Sequence, residues 1–195
     1  MPNANARSTR YLVVFDGQSF NVLPAGPTGF PPQLMNYFPN ISYVNPSKGA
    51  TEWEILQARA YQEVFPHASR AEFSVLVMNG GTSDVGVDNS TTIYNEQKAY
   101  AQAARAAGFD KILNVTILKY NGINAGQDTN RLSANTLILG NADGAWDGVA
   151  DFAGDSRMQN PLDTNYFSDG VHPAAPLGIG VEVELSLPFL KSWLT

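Results

Sequence analysis

The chain has 195 residues, of which 44% are hydrophobic and 15% are charged, and its formal net charge is −6. This composition is typical of a globular protein and excludes a largely disordered one, and the length suits a single domain over residues 1–195. The 12 lysines and arginines are scattered, so a nucleic-acid partner, which needs a basic surface, is not expected. No cysteine is present, which excludes disulfides and thiolate chemistry.

The first ten residues contain no apolar segment, and the apolar run that follows them is too short to cross a membrane. We therefore expect no signal peptide, no membrane span and, by default, a cytoplasmic location. Export by another route and carriage on a viral particle stay open, and so does the oligomeric state.

Apolar runs alternate with segments of helical periodicity, which is the pattern of β-α-β units around a parallel sheet. Strands are predicted at residues 11–15, 41–44, 73–78, 111–118 and 148–152. Helices are predicted at residues 32–38, 51–64, 91–107 and 131–139, with a last one within 174–194. The predicted fold class is therefore α/β, with the sheet covered on both faces.

Three long loops rich in Gly, Pro and Asn are predicted at residues 21–31, 120–130 and 154–168. The first two follow strands, as do the cluster Gly17-Gln18-Ser19 and the polar segment 79–84. The carboxyl ends of parallel strands meet at one edge of a sheet, where open α/β folds bind their ligands. We therefore expect the chemistry of this protein at that edge.

Ser19 follows a glycine directly after the first apolar strand, which is a suitable position for a nucleophile. His172 comes three residues after Asp169 and could serve as a base with its orienting acid. Taken alone, the Ser19 cluster is equally compatible with an ordinary loop. The other histidine, His67, stands at the end of a predicted helix, and we expect it to be structural.

The order Ser-Asp-His along the chain differs from the Asp-His-Ser and His-Asp-Ser orders of the two best-known serine protease types, and it therefore excludes both types. An α/β-hydrolase has this order, but its G-x-S-x-G elbow would need glycine where this chain has Asn21.

Four short blocks in order resemble those of the SGNH (GDSL-type) hydrolases, over essentially the whole chain. The family's G-D-S is matched by Gly17-Gln18-Ser19, its G-x-N-D by Gly81-Thr82-Ser83-Asp84, and its D-x-x-H by Asp169-Gly170-Val171-His172. Gly49 fits the glycine of the family's second block. The resemblance implies a flavodoxin-like three-layer α/β/α sandwich with a central parallel sheet of about five strands.

The resemblance also implies the roles of the site residues. Ser19 would be the nucleophile, His172 the base and Asp169 its orienting acid, with the N–H groups of Ser19 and Gly49 in the oxyanion hole. Gly17, Gln18 and Asp84 would support the site. The implied chemistry uses no cofactor and no metal.

Ser83 is the main departure, because the family has an asparagine there whose side chain donates to the oxyanion. A serine hydroxyl ends about one bond, or ~1.5 Å, closer to the backbone, while an oxyanion donor must lie ~3 Å from the developing charge. Ser83 would then act through a water or not at all, and Asn79 is an alternative donor.

Four aspartates and three tryptophans could each have a structural role or a role in binding a ligand. The aspartates at 143, 147, 151 and 155 suggest a metal site, but they lack the alternating D-x-D-x-D-G pattern, so a solvated surface is expected. Trp53, Trp146 and Trp193 could stack on sugar rings, although packing in the core is the more common role.

The predicted function is that of a serine esterase or acylhydrolase acting on a small-molecule or glycan ester. The G-Q-S variant, which occurs in carbohydrate acetylesterases, and the polar loops favour a short acyl group such as acetyl, and a carbohydrate as the alcohol. The alternative is a weak or inactive module of the same fold that binds carbohydrate or forms part of a larger assembly.

Overall fold

Five parallel strands form the central sheet of the protein, of which the computed structural model describes residues 9–195. The strands are β1 (Thr9–Gly17), β2 (Ser42–Val44), β3 (Ala71–Asn79), β4 (Lys111–Val115) and β5 (Gly148–Ala150). The helices are α1 (Phe30–Met35), α2 (Trp53–Glu63), α3 (Ser90–Ala107), α4 (Ala125–Gly140) and α5 (Leu177–Trp193). The strand order is β2-β1-β3-β4-β5, which places β3 in the middle with β1 and β4 on either side of it.

Alternate side chains of the strands pack into two cores, one on each face of the sheet. On one face Val14 and Leu76 pack with residues of α2, α3 and α4, and on the other face Val13 and Val77 pack with residues of α1 and α5. A strand buried on both faces must be apolar at every position, which is what β3 shows over residues 75–78. The predicted three-layer α/β/α sandwich with five parallel strands is confirmed.

The predicted elements are all present, but several boundaries differ; α1, for example, ends at Met35 rather than at residue 38, and β5 ends at Ala150 rather than at residue 152. β4 ends at Val115 rather than at residue 118, because the side chain of Asn135 on α4 takes over both backbone groups of Ile117. α4 begins at Ala125, six residues before the predicted start, so the loop predicted at 120–130 is shorter. A capping box starts this helix, in which Asn124 and Gln127 bond each other's backbone N–H groups.

None of the helices within residues 9–195 is long and apolar enough to cross a membrane.

Candidate active site

The end of β1 sets the position of Ser19. Gly17 has φ +145°, and a Cβ there would lie 1.9 Å from the carbonyl oxygen of Asn79, so only glycine fits against β3. The chain then turns through a short 3-10 helix, in which the backbone N–H groups of Val22 and Leu23 donate to the carbonyl of Ser19. This turn leaves Ser19 partly exposed at the carboxyl edge of the sheet.

Asp169 and His172 lie on a tight turn that leads into α5. One carboxylate oxygen of Asp169 accepts the backbone N–H groups of Val171 and His172, at 2.9 and 2.8 Å, and thereby shapes the turn. A bridge between Phe167 and Pro173 closes the base of the turn. The structure therefore holds the aspartate and the histidine in one local unit.

The three side chains form a connected chain of hydrogen bonds. Nδ1 of His172 lies 2.7 Å from Oδ2 of Asp169, and its Nε2 lies 2.8 Å from Oγ of Ser19. Because an ionised carboxylate only accepts, Nδ1 carries the proton and Nε2 is free to accept the serine hydroxyl. Burial raises the pKa of Asp169, but the hydrogen bonds from His172 and Val171 outweigh it and lower the pKa to about 2. Asp169 is therefore ionised at neutral pH.

Gly49 lies directly against the nucleophile, since a Cβ placed on it would be 3.6 Å from Cβ of Ser19. The loop that carries it is tied to β1, where the N–H of Lys48 donates to the carbonyl of Gly17 at 3.0 Å. Ala50 has φ +51°, a strained conformation for a residue other than glycine. Within residues 9–195, the N–H groups of Ser19 and Gly49 donate to no other group. Both are available to an oxyanion.

The loop after β3 carries the third block. Gly81 has φ +112°, and a Cβ there would lie 2.6 Å from the side chain of Ile117. Asp84 is fully buried, and its carboxylate accepts the N–H of Trp53 at 2.8 Å and the side-chain amide of Gln18 at 2.9 Å. Burial raises the pKa of Asp84 to about 6, against the lowering effect of these two hydrogen bonds. Asp84 therefore connects this loop to Gln18 and to the start of α2 from inside the protein.

The third oxyanion donor has two candidates. The Ser83 hydroxyl is partly exposed and makes no hydrogen bond within the described part of the chain. Asn79 is 4% exposed, and its side-chain N–H₂ is buried with no acceptor among residues 9–195. Ser83 acting through a water and Asn79 acting directly both stay predictions for the third oxyanion donor.

Other residues considered in the sequence do not join the site. Trp53 and Trp146 are buried in the core rather than exposed for stacking, and Trp193 is partly buried. His67 lies in the 3-10 helix that precedes β3, at the opposite edge of the sheet, where Nη1 of Arg70 lies 2.7 Å from its Nδ1. The four aspartates suggested as metal ligands bond to different partners, which are Lys98, Arg105 with Lys111, Thr116, and Arg157.

A cluster of carboxylates that the sequence did not suggest lies behind the third-block loop. Ligand atoms of Asp84, Asp88 and Glu96 lie within 4.8 Å of one another. Burial, together with the charges of Asp88 and Asp84, raises the pKa of Glu96 to about 7. Each carboxylate oxygen of Asp84 already accepts one hydrogen bond, from Trp53 or from Gln18.

Several cavities lie near the site, and one of them, of about 290 Å³, is lined in part by Asn121, whose N–H donates to the carbonyl of Gly170. A groove of about 550 Å³ is formed by the segment that follows Ser19, from Asn21 to Pro32, and by Tyr43, Asn45 and Ser47. The chain segments that carry Ser19 and Gly49 form part of the wall of this groove. A larger cavity of about 630 Å³ lies between α1 and α5, and no residue of the Ser-His-Asp chain lines this cavity or the groove. The groove is the better candidate for a substrate site because Asn21 and Ser47 in its wall are two residues from Ser19 and from Gly49, respectively.

Sequence comparison gives no match to a model of a known protein family or to a curated protein. Solved structures are similar in fold. A member of the lipolytic G-D-S-L family from Veillonella parvula superposes with a TM-score of 0.76 at 15% identity, covering 93% of this chain and 98% of that one. A putative acylhydrolase from Bacteroides fragilis has a TM-score of 0.71 at 18% identity, covering 94% and 88%. An acetyl xylan esterase has a TM-score of 0.70 at 18% identity, covering 92% and 98%.

The fold of the chain is that of the GDSL-type (SGNH) hydrolases, which confirms at the level of fold the resemblance seen in the four sequence blocks.

Proposed function

We propose that this protein is a serine hydrolase that cleaves carboxylic esters through an acyl-serine intermediate. The observation that carries this proposal is the connected chain from Oγ of Ser19 to Nε2 of His172 at 2.8 Å, and from its Nδ1 to Asp169 at 2.7 Å. Hydrogen-bond reach between nucleophile and base, with the base oriented by a third group, is the signature of an activated nucleophile.

In the proposed mechanism, Oγ of Ser19 attacks the ester carbonyl while Nε2 of His172 takes its proton. The oxyanion that forms accepts the N–H groups of Ser19 and Gly49. When the intermediate collapses, the bond to the leaving oxygen breaks and His172 gives its proton to the alcohol. A water molecule, deprotonated by His172, then attacks the acyl carbonyl; the bond to Oγ of Ser19 breaks, His172 returns the proton to Oγ, and the acid is released.

The groove beside Ser19 supports a sugar as the alcohol part of the ester. Its lining residues are all uncharged, and it combines the exposed ring of Tyr43 with the amide side chains of Asn21 and Asn45. Oδ1 of Asn21 is buried and accepts no hydrogen bond from residues 9–195. The amide of Asn45 already donates to the carbonyl of Asn21 and accepts the N–H of Ser47. The main support for a neutral, hydroxyl-rich ring is therefore the exposed aromatic face of Tyr43 in an uncharged groove. The acetyl xylan esterase of similar fold is consistent with a short acyl group.

Kinetics of Ser19→Ala and His172→Ala on p-nitrophenyl acetate test the enzyme proposal. Each change should lower kcat by about 10⁴-fold or more, because a nucleophile and its base act as one unit. His67→Ala is the matched control, since it removes the other histidine at the opposite edge of the sheet, and kcat should not change. A fluorophosphonate probe should label the wild type at Ser19 only. An unlabelled Ser19 in a protein that still binds glycans would instead support the non-catalytic alternative.

The sugar subsite is tested by Tyr43→Ala with an acetylated xylo-oligosaccharide as substrate. Loss of a stacking ring costs about 1 kcal/mol, so KM should rise about fivefold or more while turnover of p-nitrophenyl acetate is unchanged. Tyr37→Ala is the control, because Tyr37 is also exposed but lines the cavity between α1 and α5. Equal KM values in the two variants would remove the subsite and leave the esterase proposal intact.

A further inference from the structure

The side chain of Gln18 lies between the three loops that form the candidate site. It is only 1% exposed, although it directly precedes the nucleophile Ser19. The loop of Gly49 lies on one side of it, and the loop of Ser83 and Asp84 lies on the other. A buried amide needs partners for all its polar atoms, so its contacts define how these loops are joined.

Every hydrogen-bonding position of the Gln18 amide is used. Nε2 donates to the carbonyl of Thr51 at 2.6 Å and to Oδ2 of Asp84 at 2.9 Å. Oε1 accepts the backbone N–H groups of Thr82 at 3.0 Å and Ser83 at 3.3 Å. Two donors and two acceptors around the amide also determine its orientation, because a flipped amide would oppose all four partners.

These bonds connect each part of the oxyanion site to the residue next to the nucleophile. Thr51 lies two residues after Gly49, and its hydroxyl donates to the carbonyl of Gly49 at 2.9 Å. The backbone of Ser83 is held through its own N–H. An oxyanion donor is effective only when it is held about 3 Å from the developing charge, so a shift of either loop would weaken stabilisation of the transition state.

We propose that Gln18 is a positioning residue of the active site, whose amide holds the Gly49 loop and the third-block loop in register with Ser19. This role rests on the proposed function. It also gives a chemical meaning to glutamine in place of the aspartate of the G-D-S block. An ionised aspartate only accepts hydrogen bonds, so it could not donate to Thr51 and Asp84 as the Gln18 amide does.

The test is a double-mutant cycle between Gln18 and Asp84 with p-nitrophenyl acetate. Gln18→Glu keeps the shape but replaces the donor with a carboxylate facing Thr51 and Asp84. We expect kcat per folded molecule to fall about 10²-fold, with KM nearly unchanged, because oxyanion donors act in the transition state. Adding Asp84→Asn supplies an amide donor opposite the new carboxylate. The kcat of the double variant should therefore be about tenfold higher than that of Gln18→Glu alone.

Two further variants separate positioning from simple loss of stability. Gln18→Met removes the four bonds without burying a charge, so it tests the same role if Gln18→Glu does not fold. Asn135→Asp is the matched control, because the hydrogen bonds of this buried amide within residues 9–195 go to the backbone of Ile117 alone. It should lower the unfolding midpoint and leave kcat unchanged.

The outcomes separate the two proposals. If wild-type turnover does not depend on Ser19, the proposed function fails and the role of Gln18 fails with it. If turnover depends on Ser19 but the folded Gln18 variants keep wild-type kcat, only the role of Gln18 is overturned. It is also overturned if Asn135→Asp loses as much kcat, or if Asp84→Asn gives no recovery in the Gln18→Glu background.

Discussion

The candidate site has a buried half and an exposed half that are built in different ways. In the buried half, Gln18 and Asp84 are 1% and 0% exposed and connect loops that are more than 30 residues apart in sequence. In the exposed half, the side chain of Asp169 is 53% exposed and bonds within its own four-residue turn. Geometry in the first half depends on tertiary packing, whereas geometry in the second depends mainly on one local turn.

The largest effect that distinguishes the halves is expected for Asp169→Asn. The asparagine oxygen can still accept the N–H groups of Val171 and His172, so the turn should persist, and the variant should lose only the stability that the ionised carboxylate contributes above pH 3.8. Its N–H₂ group would face Nδ1 of His172, however, and favour the tautomer that carries the proton on Nε2. That tautomer cannot take the proton of Ser19, so kcat should fall about 10²–10³-fold.

Asp163→Asn is the control for this change, because Asp163 also accepts a backbone N–H two residues later on an exposed turn. We expect it to keep wild-type kcat. If Asp169→Asn also unfolds at a much lower temperature than Asp163→Asn, the exposed half is not a local unit and the comparison is wrong.

The contributions of the two halves to the free energy of unfolding should also change with pH in opposite directions. Urea unfolding between pH 3 and 8 can measure this. The pKa of Asp84 is about 6, above its ordinary value of 3.8, so its contribution to stability is complete below pH 3.8 and is lost as pH rises through 6. The difference amounts to about 3 kcal/mol. The pKa of Asp169 is about 2, so its contribution is present above pH 3.8 and is lost only as pH falls through 2.

Asp84→Asn removes the first contribution, so the difference in unfolding free energy between this variant and the wild type should change steadily between pH 4 and 6. The same difference for Asp169→Asn should be flat over that range. A flat profile for Asp84→Asn would mean that Asp84 is not desolvated in the folded protein, and the contrast between the halves would then fail.

The sequence predicted the exposed half better than the buried one, for a physical reason. Asp169 and His172 are three residues apart, so their pairing is visible as a short block. The contacts of Gln18 span 33 to 66 residues, and no local pattern shows which atoms its amide will meet. The predicted end of β4 was wrong for the same reason, because the strand ends where the distant side chain of Asn135 on α4 bonds to the backbone of Ile117. The start of α4 was a local signal, the Asn124–Gln127 capping box, that the sequence analysis missed.

Ser83→Asn probes the smallest difference between the halves, because it adds one donor to the buried half and leaves the exposed half unchanged. If the site lacks a third donor, kcat on acetyl esters should rise about tenfold to 10²-fold with KM unchanged. Ser83→Ala is the control, and it should keep wild-type kcat if the serine hydroxyl ends too far from the developing charge to donate to it. If Asn79 already donates, Asn79→Ala should lower kcat about 10²-fold and Ser83→Asn should give no gain. That result would show that the third oxyanion donor is the side chain of Asn79, at the end of β3, and that the third-block loop supplies none.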